Sequence, residues 1–524
     1  MEDVVDLLEE RAAQIPGKLL LAWEPFNGPP REWSRQEFLD DVRRVAAGLA
    51  LRGVVPGERV LMHGDNCPEL LLTWFACAWL GAVCVVINPK SSTDEIAYVA
   101  HHTGAAGIIT QKGLPGQVTL AEDGLRWSVT LGGPAPDRFD RLAGTAVARV
   151  RVDPASAGSM MFTSGTTARP KAVLWSRANA LWAAQASCRA TGLLESDTAL
   201  VFVPLYHVVG LAWSVLPALQ AGAAIVLQPR FSASRFWSVA LARQATFASH
   251  VQFSTAVLFR QPVPAAHHFR LWCNSTWLPE YEKHFRVPII GWWGMTELVA
   301  PGILGRPGVA QHAGTIGFGA PGYGLRIAGE PGSQSHDADS VPAPGETGEL
   351  EIRGRRGETI FSGYFGDDAA TAASFTPDGW FRTGDRVQVL ADGSIRFLER
   401  VRDVIKTGGE GVSPAEVERV IRQVAGVSDV SVVGRPDALL GEVGVAFLVV
   451  AEAASARADT TPSQTETLEA SIFAACRAQL AAFKVPKEIR FLASLPLVGI
   501  NKVAKGELRR LAQVTPAPDP TSHG

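Results

Sequence analysis

The run Val83–Ile87 consists of five consecutive apolar residues, most of them β-branched. Such an uninterrupted run predicts a strand that is buried on both faces, as in a parallel sheet. A helical stretch ends before it at Leu80, and another lies between it and the strand-like run Gly107–Thr110. Strands that alternate with helices predict βαβ units and therefore an α/β fold. Further along, Phe247–Phe259 is predicted to form one helix.

The chain has 524 residues, so two or more domains are expected. Beyond Gly314 the sequence changes to short alternating segments with many glycines, which predict a β-rich subdomain. We therefore predict a large N-terminal domain of stacked βαβ sheets with this small subdomain, over residues 1–400. A smaller, mobile α+β C-terminal domain is predicted over residues 401–512, and a Pro-rich disordered tail over residues 513–524.

Composition argues against several classes of function. The net charge is −3 and the sequence has no basic block, so neutralisation of nucleic-acid phosphates is not indicated. The longest apolar run, Leu70–Ile87, is interrupted by Thr73 and Gly81 and predicts a core helix and strand rather than a membrane span. The six cysteines are scattered, and the N-terminus has no signal-peptide pattern. These features predict a cytoplasmic protein that binds neither nucleic acid nor a membrane, and they leave a homodimer open.

The stretch Thr163–Lys171 combines four hydroxyl residues and a glycine with a lysine, directly after an apolar segment. A loop of this kind can offer main-chain N–H groups, hydroxyl donors and one ammonium to a polyphosphate. It is not a Walker loop, because Pro170 precedes the lysine and Ala172 follows it. From these residues alone, a Ser/Thr-rich surface turn is an equally good interpretation.

More motifs follow this stretch in order. They are Trp293-Gly-Met-Thr-Glu297, Trp380-Phe-Arg-Thr-Gly-Asp385, Arg400–Glu410, Arg435-Pro-Asp437 with Gly441-Glu442, and Leu495-Pro496 with Asn501-Lys-Val503. As an ordered set they resemble the adenylate-forming superfamily, in particular its branch of acyl- and aryl-CoA ligases. The resemblance covers residues 10–512.

The resemblance implies an AMP-forming acyl-CoA ligase that uses ATP, Mg²⁺ and coenzyme A. In that family a carboxylic acid attacks the α-phosphate of ATP, and a thiol then displaces AMP from the acyl-adenylate. The apolar and aromatic residues near the implied acyl site favour a bulky apolar or aromatic acid. Rotation of the C-terminal domain between the two half-reactions is also implied.

The resemblance also implies the residues of the site. The nucleotide would be bound by Thr163, Ser164, Gly165, Thr166, Thr167, Lys171, Trp293, Thr296, Asp385 and Arg400, and Mg²⁺ by the carboxylate of Glu297. Catalytic roles would fall to Lys502, His207 and Thr296. The acyl pocket would be lined by His207, Val208, Val209 and Trp292. Coenzyme A would pass Gly408 and Gly409, which have no Cβ to obstruct it, and contact Phe483 and Lys484; the hinge would be Arg402.

The chain departs from the family pattern at several positions. Alanines at 168 and 172 replace two glycines of the phosphate loop, Trp293 replaces a tyrosine, and the hinge residue is Arg402. Alanine tolerates positive φ poorly, so the loop is expected to be stiffer or shifted. These changes suggest a second interpretation, in which the enzyme mainly transfers a supplied acyl-adenylate to CoA.

Two other interpretations are weaker. An amino-acid adenylation domain usually has an aspartate for the substrate amine near the strand that carries His207, but Leu205–Val209 contains no carboxylate. An inactive binding protein of the same fold would not need Glu297, Asp385 and Lys502, all of which are present.

Overall fold

The computed structural model describes residues 1–116, 124–132, 139, 144, 147–163, 169–309, 311–328, 342–400, 404–450, 462–498 and 502–514. At 399–400, 462–465, 497–498 and 502 it describes the backbone alone. The chain forms two compact units. The first contains residues 1–89, 96–163 and 171–401, and the second contains residues 90–95, 164–170 and 402–524. The predicted domain limits at residues 400 and 512 stay predictions.

Eleven α-helices begin before residue 400 in the described part of the chain. They are α1 (Val4–Gln14), α2 (Arg35–Leu51), α3 (Pro68–Leu80), α4 (Thr93–Thr103), α5 (Arg177–Thr191), α6 (Val208–Gly210), α7 (Leu216–Ala221), α8 (Ala233–Ala242), α9 (Gln252–Leu258), α10 (Pro279–Phe285) and α11 (Asp368–Ala373). A π-helical turn, Leu211–Val215, separates α6 from α7, and Thr296–Leu298 forms a 3₁₀ turn. Local chemistry sets the helix ends: Asp3 and Ser34 close capping boxes, and Pro68 begins α3.

The strands of the first unit are β1 (Leu19–Trp23), β2 (Arg31–Ser34), β3 (Arg59–His63), β4 (Val83–Ile87), β5 (Gly107–Gln111), β6 (Trp127–Leu131), β7 (Ala157–Thr163), β8 (Lys171–Ser176), β9 (Thr198–Val201), β10 (Ala224–Leu227), β11 (Phe247–Ser249), β12 (Leu271–Asn274), β13 (Ile289–Trp293), β14 (Ile303–Leu304), β15 (Phe318–Gly319), β16 (Gly324–Ala328), β17 (Thr347–Arg353), β18 (Gly363–Tyr364), β19 (Phe381–Val389) and β20 (Ile395–Arg400). They form three sheets, with the orders β15-β14-β13-β12-β11-β9-β10-β1-β2, β18-β8-β7-β4-β3-β5-β6 and β16-β17-β19-β20. The first two are mainly parallel and the third is antiparallel.

Several predicted site residues lie at, or shortly after, the carboxyl ends of the parallel strands. Strand β7 ends at Thr163, β13 ends at Trp293, and the segment after β9 leads to His207. In open α/β sheets, ligands bind outside the carboxyl ends of the strands. The fold therefore places these residues at the edges of the sheets where a ligand is expected.

The second unit has its own core. Its strands are β21 (Ile405–Thr407), β22 (Glu410–Val412), β23 (Val427–Asp437), β24 (Gly441–Val450), β25 (Glu488–Phe491), β26 (Leu497–Val498) and β27 (Lys502–Val503), and its helices are α12 (Pro414–Ile421), α13 (Pro462–Gln479) and α14 (Lys505–Gln513). Strands β22-β21-β24-β23 form a sheet that β25 extends in parallel to β24. The buried residues between this sheet and its helices include Val417, Val420, Val432, Leu448 and Ile472.

The predicted α/β fold class is confirmed. Strand β4 covers the predicted residues Val83–Ile87, and all five are buried. The prediction of one helix over Phe247–Phe259 is wrong, because Phe247–Ser249 pairs in parallel with β9 and β12 and only the residues from Gln252 turn into a helix. Among the described residues, no helix has the length and apolarity needed to cross a membrane.

Two histidines in the core of the first unit make its stability depend on pH. Burial lowers the pKa of His250 to about 3 and that of His63 to about 4. Both side chains are neutral in the fold and gain a proton on unfolding below about pH 6.5. We expect the free energy of unfolding to fall as the pH drops from 6.5 towards 4, by about 1.4 kcal/mol per pH unit for each histidine.

Urea unfolding between pH 4 and pH 7 measures this effect. His250→Asn keeps a polar group that can hydrogen bond with Ser254 Oγ, and it should reduce the pH dependence of the free energy of unfolding by the contribution of one histidine. His268→Asn is the control, because His268 is exposed. An equal flattening in the two variants would contradict the prediction.

Candidate active site

The hairpin of β7 and β8 holds both ends of the predicted phosphate loop. Thr163 is the last residue of β7, Lys171 is the first of β8, and the two face each other in the antiparallel register. Directly opposed residues in such a pair lie about 4.5–5.5 Å apart. Ser164, Gly165, Thr166 and Thr167, which complete the loop, lie outside the described residues. The backbones of one hydroxyl residue and one lysine are therefore adjacent at the two ends of the loop.

Tyr364 connects Lys171 to Glu297. The Lys171 Nζ atom lies 4.5 Å from the centre of the Tyr364 ring, within the range of a cation–π contact. The hydroxyl of Tyr364 donates a hydrogen bond of 2.8 Å to Glu297 Oε1. Glu297 is buried, with 4% of its surface exposed. The predicted phosphate-binding lysine and metal-binding carboxylate thus share one tyrosine, which the sequence-based prediction did not include.

Two donors from other segments hold the turn that carries Thr296 and Glu297 by bonding to its main-chain carbonyls. Trp175 Nε1 donates to the carbonyl of Thr296 over 2.9 Å. The backbone N–H of Phe361 donates to the carbonyl of Glu297 over 2.8 Å. Both anchors use main-chain oxygens, so they fix the turn and leave the Thr296 hydroxyl to other partners.

Val299 follows this turn in a strained conformation. Its φ is 56°, in the left-handed region that β-branched residues rarely adopt. The Trp213 indole donates a 3.0 Å hydrogen bond to the Val299 carbonyl and holds it there. Strained backbone of this kind is common at functional sites.

Trp293 and Asp385 form a second pair within the first unit. Trp293 Nε1 donates a hydrogen bond of 2.9 Å to Asp385 Oδ2. Their exposed fractions are 9% and 1%. Arg400 lies opposite Asp385 in the register of β19 and β20, so the backbones of the two residues predicted to bind ribose are adjacent. The substitution of tyrosine by Trp293 therefore supplies a hydrogen-bond donor to Asp385.

The predicted acyl-site residues lie along α6 and the end of β13. His207 precedes α6 and its ring lies 4.4 Å from that of Tyr206, while Val208 is buried and Val209 half-buried. Trp292 on β13 is buried, and its ring packs edge-on against Trp213 at 4.9 Å. The structure therefore gathers apolar side chains where the acyl group was predicted.

Gly294 is required by the same packing. A Cβ at this position would lie 2.7 Å from Trp213 Cζ2, closer than van der Waals contact allows. Glycine therefore lets the chain pass the indole on its way from β13 to Thr296.

In the second unit, the predicted CoA-side glycines form a tight turn. Gly408 and Gly409 join β21 to β22 with φ of 59° and 89°, which a residue with a Cβ would adopt only under strain. Phe483 is half-buried, and Lys90 Nζ lies 5.6 Å from its ring centre. Lys502 pairs with Val498 through its backbone in the β26–β27 ribbon. Arg402 lies outside the described residues.

Lys484 has a buried environment. Its ammonium donates to Glu416 Oε1 over 2.9 Å and also to Glu95 Oε1, and 8% of the lysine side chain is exposed. Burial alone would lower the pKa of Lys484, but the carboxylates of Glu416 and Glu95 outweigh it and raise that pKa. In this structure the ammonium is occupied by two carboxylates, and its predicted contact with CoA stays a prediction.

Comparison with known proteins identifies the family. The family model of AMP-binding enzymes matches residues 8–365. The family model of the AMP-binding enzyme C-terminal domain matches residues 416–502. The chain belongs to the family of AMP-binding enzymes. The superfamily that the sequence motifs resemble is thereby confirmed, as is the predicted class of AMP-forming acid–thiol ligases.

Within the family of AMP-binding enzymes, named relatives are CoA ligases. Crotonobetaine/carnitine–CoA ligase of Salmonella enteritidis is 31% identical over 97% of this chain and 99% of its own length. The enzyme of that name from Proteus mirabilis is 30% identical over 94% and 96%.

Solved structures of a CoA synthetase also align with most of this chain. A double mutant of o-succinylbenzoate CoA synthetase from Bacillus subtilis, bound to a product analogue, aligns with a TM-score of 0.81 at 25% identity over 96% of this chain and 97% of that one. The same synthetase has been solved in complex with ATP and a magnesium ion. The predicted use of ATP, Mg²⁺ and CoA accords with these relatives.

Proposed function

We propose that this AMP-binding enzyme forms a CoA thioester from an apolar or aromatic carboxylic acid by way of an acyl-adenylate. The observation that carries the proposal is the connection of Lys171, Tyr364 and Glu297. It brings a cation and a buried carboxylate to the end of β7, where the predicted phosphate loop begins. Phosphoryl transfer depends mainly on positioning and on neutralisation of charge, and this arrangement supplies both.

On the adenylation side, each predicted residue has a role suited to its chemistry. Lys171 would neutralise the β- and γ-phosphates together with the hydroxyls of the loop. Thr296 would donate to the α-phosphate. Glu297 would hold Mg²⁺, which proteins commonly bind through one or two carboxylates together with substrate phosphates. The loop residues in this role are Thr163, Ser164, Gly165, Thr166 and Thr167.

Asp385 and Arg400 would bind the ribose, and Lys502 would bridge the carboxylate of the acid and the α-phosphate. After the acyl-adenylate forms, the CoA thiol attacks its carbonyl carbon and AMP leaves. Gly408 and Gly409 would give the pantetheine arm room beside the backbone, Phe483 and Lys484 would contact the CoA nucleotide, and Arg402 would serve as the hinge.

The acyl group would lie against His207, Val208, Val209 and Trp292. Support for an apolar or aromatic acid comes from the lining at α6 and β13, to which these residues contribute two valines and one indole. Apolar lining of this kind gains free energy in proportion to the apolar surface that the substrate buries.

The structure supports ATP-dependent adenylation over simple transfer of a supplied acyl-adenylate. Ala172 lies within β8, paired with Phe162, and its carbonyl accepts the N–H of Phe365. An extended strand does not need glycine, so the expected strain at Ala172 is absent. Ala168, the other substitution, lies outside the described residues.

A panel of acids tests the proposal through acid-dependent exchange of pyrophosphate with ATP, followed by CoA thioester formation. We expect activity with aromatic or large apolar acids and no turnover of acetate. The panel also contains crotonobetaine, carnitine and o-succinylbenzoate, the acids named for the relatives. Turnover of acetate, or of a zwitterionic acid alone, would contradict the proposed acid class. Thioester formation from supplied acyl-adenylate without any exchange would favour the transfer-only enzyme.

A further inference from the structure

The hydrogen bond between Trp293 and Asp385 gives the tryptophan a function of its own. The inference rests on the proposed function, because it requires Asp385 to bind the ribose of the nucleotide. A carboxylate buried to 1% exposure can accept hydrogen bonds from ribose hydroxyls only if its plane is correctly oriented. The 2.9 Å bond from Trp293 Nε1 reaches one of its two oxygens and restricts that orientation.

The Trp293 ring is fixed by its surroundings. Its backbone ends β13 and pairs with Ile303, and its carbonyl accepts the N–H of Gly302 over 3.0 Å. A Cβ on Gly302 would lie 3.4 Å from Trp293 Cζ3, so the ring lies directly against that glycine. The indole N–H is therefore held at a fixed point.

The backbone of Asp385 is fixed independently. Its N–H donates to Thr383 Oγ1 over 3.1 Å, and the Thr383 hydroxyl donates to the carbonyl of Leu350 over 2.6 Å. Gly384, at φ 70°, donates its N–H to Glu349 Oε1 over 2.9 Å. With the main chain held by these bonds, the remaining freedom is rotation of the side chain, and Trp293 limits it.

We propose that Trp293 is a positioning residue whose indole N–H sets the Asp385 carboxylate for the ribose hydroxyls. Discrimination between ribose and a sugar without hydroxyls then depends on this N–H. A tyrosine, usual in the family at this position, carries its hydroxyl at the tip of the ring. Tryptophan donates from the side of the ring, so this chain reaches Asp385 by a geometry that tyrosine does not offer.

The test measures binding of AMP and of 2′,3′-dideoxy-AMP by isothermal titration calorimetry. Trp293→Phe keeps an aromatic ring and removes the N–H. We expect it to weaken AMP binding on the order of tenfold, the effect of losing a hydrogen bond to a charged group, and to leave binding of the dideoxy nucleotide unchanged. Trp380→Phe is the matched control, because Trp380 is buried and its Nε1 has no hydrogen-bond partner among the described residues.

The outcomes separate the positioning role of Trp293 from the proposed binding of ribose by Asp385. Equal loss of affinity for both nucleotides in Trp293→Phe would overturn the positioning role and indicate packing alone. Asp385→Asn tests the proposed function: unchanged AMP binding would show that Asp385 does not hold the ribose. Loss of AMP binding in Asp385→Asn but not in Trp293→Phe would overturn the positioning role only. If Trp293→Phe does not fold, the same two binding measurements are made with benzothienylalanine at position 293. This residue has the shape of tryptophan but lacks the N–H.

Discussion

Replacing Glu297 with glutamine is expected to lower acid-dependent pyrophosphate exchange by about 100- to 1,000-fold, as removal of one transition-state charge contact commonly does. Glutamine removes the negative charge that we propose binds Mg²⁺, but it keeps a carbonyl oxygen that can accept the hydrogen bond from the Tyr364 hydroxyl. The turn should therefore stay folded while the metal site is lost. Exchange rates measured over a series of Mg²⁺ concentrations check the effect.

Two control variants accompany Glu297→Gln, one at its hydrogen-bond partner Tyr364 and one at an exposed glutamate. Tyr364→Phe keeps the ring against Lys171 and removes the hydroxyl that donates to Glu297, so a smaller loss, on the order of tenfold, is expected. Glu280→Gln, on the exposed surface of α10, should have no effect. An unchanged Mg²⁺ dependence in Glu297→Gln would show that another group binds the metal.

Replacing Lys484 with methionine is expected to lower the free energy of unfolding of the second unit by about 3–5 kcal/mol. Methionine has a similar length but carries no charge, so it would leave two carboxylates without their cation. The side chains of Glu416 and Glu95 are 4% and 11% exposed. Burial already raises the pKa of Glu416, which shows how poorly its charge is solvated.

Urea unfolding of the full chain measures this loss. Lys487→Met is the matched control, because Lys487 is exposed and lies three residues away. The double variant Lys484→Met with Glu416→Gln should recover part of the stability, since it removes one unpaired charge together with the lysine. Wild-type stability of Lys484→Met would contradict a structural role, and a selective loss of CoA binding would instead support the predicted CoA contact.

The sequence predicted those parts of the fold that have a local signature. Strand β4 is a continuous apolar run, and the hairpin of β19 and β20 turns at Asp392-Gly393, a dipeptide typical of such turns. The pattern of hydroxyls and a lysine at Thr163–Lys171 is equally local, but the phosphate loop that it predicts stays a prediction. These features depend on neighbours in the chain, so a single sequence is enough to find them.

Contacts between distant residues could not be predicted in the same way. Trp293 and Asp385 are 92 positions apart, and Tyr364 lies 67 positions from Glu297. Nothing in the spacing of a lone tyrosine or tryptophan says which carboxylate it will reach. Glu416 is the third residue of α12, a position from which a glutamate often bonds back to the start of its helix. Its carboxylate pairs with Lys484 instead, because a buried ammonium outweighs a local capping interaction.

The left-handed valine at position 299 has a consequence for engineering. A β-branched residue in this conformation costs on the order of 1–3 kcal/mol, which glycine would not incur. Val299 directly follows the Thr296–Leu298 turn and is tied to Trp213. The Val299 side chain is also fully buried in the core, so glycine would relieve the backbone strain but lose the packing of the side chain and the rigidity of the turn. Directed evolution for heat resistance and selection for turnover would therefore both be expected to retain valine at position 299.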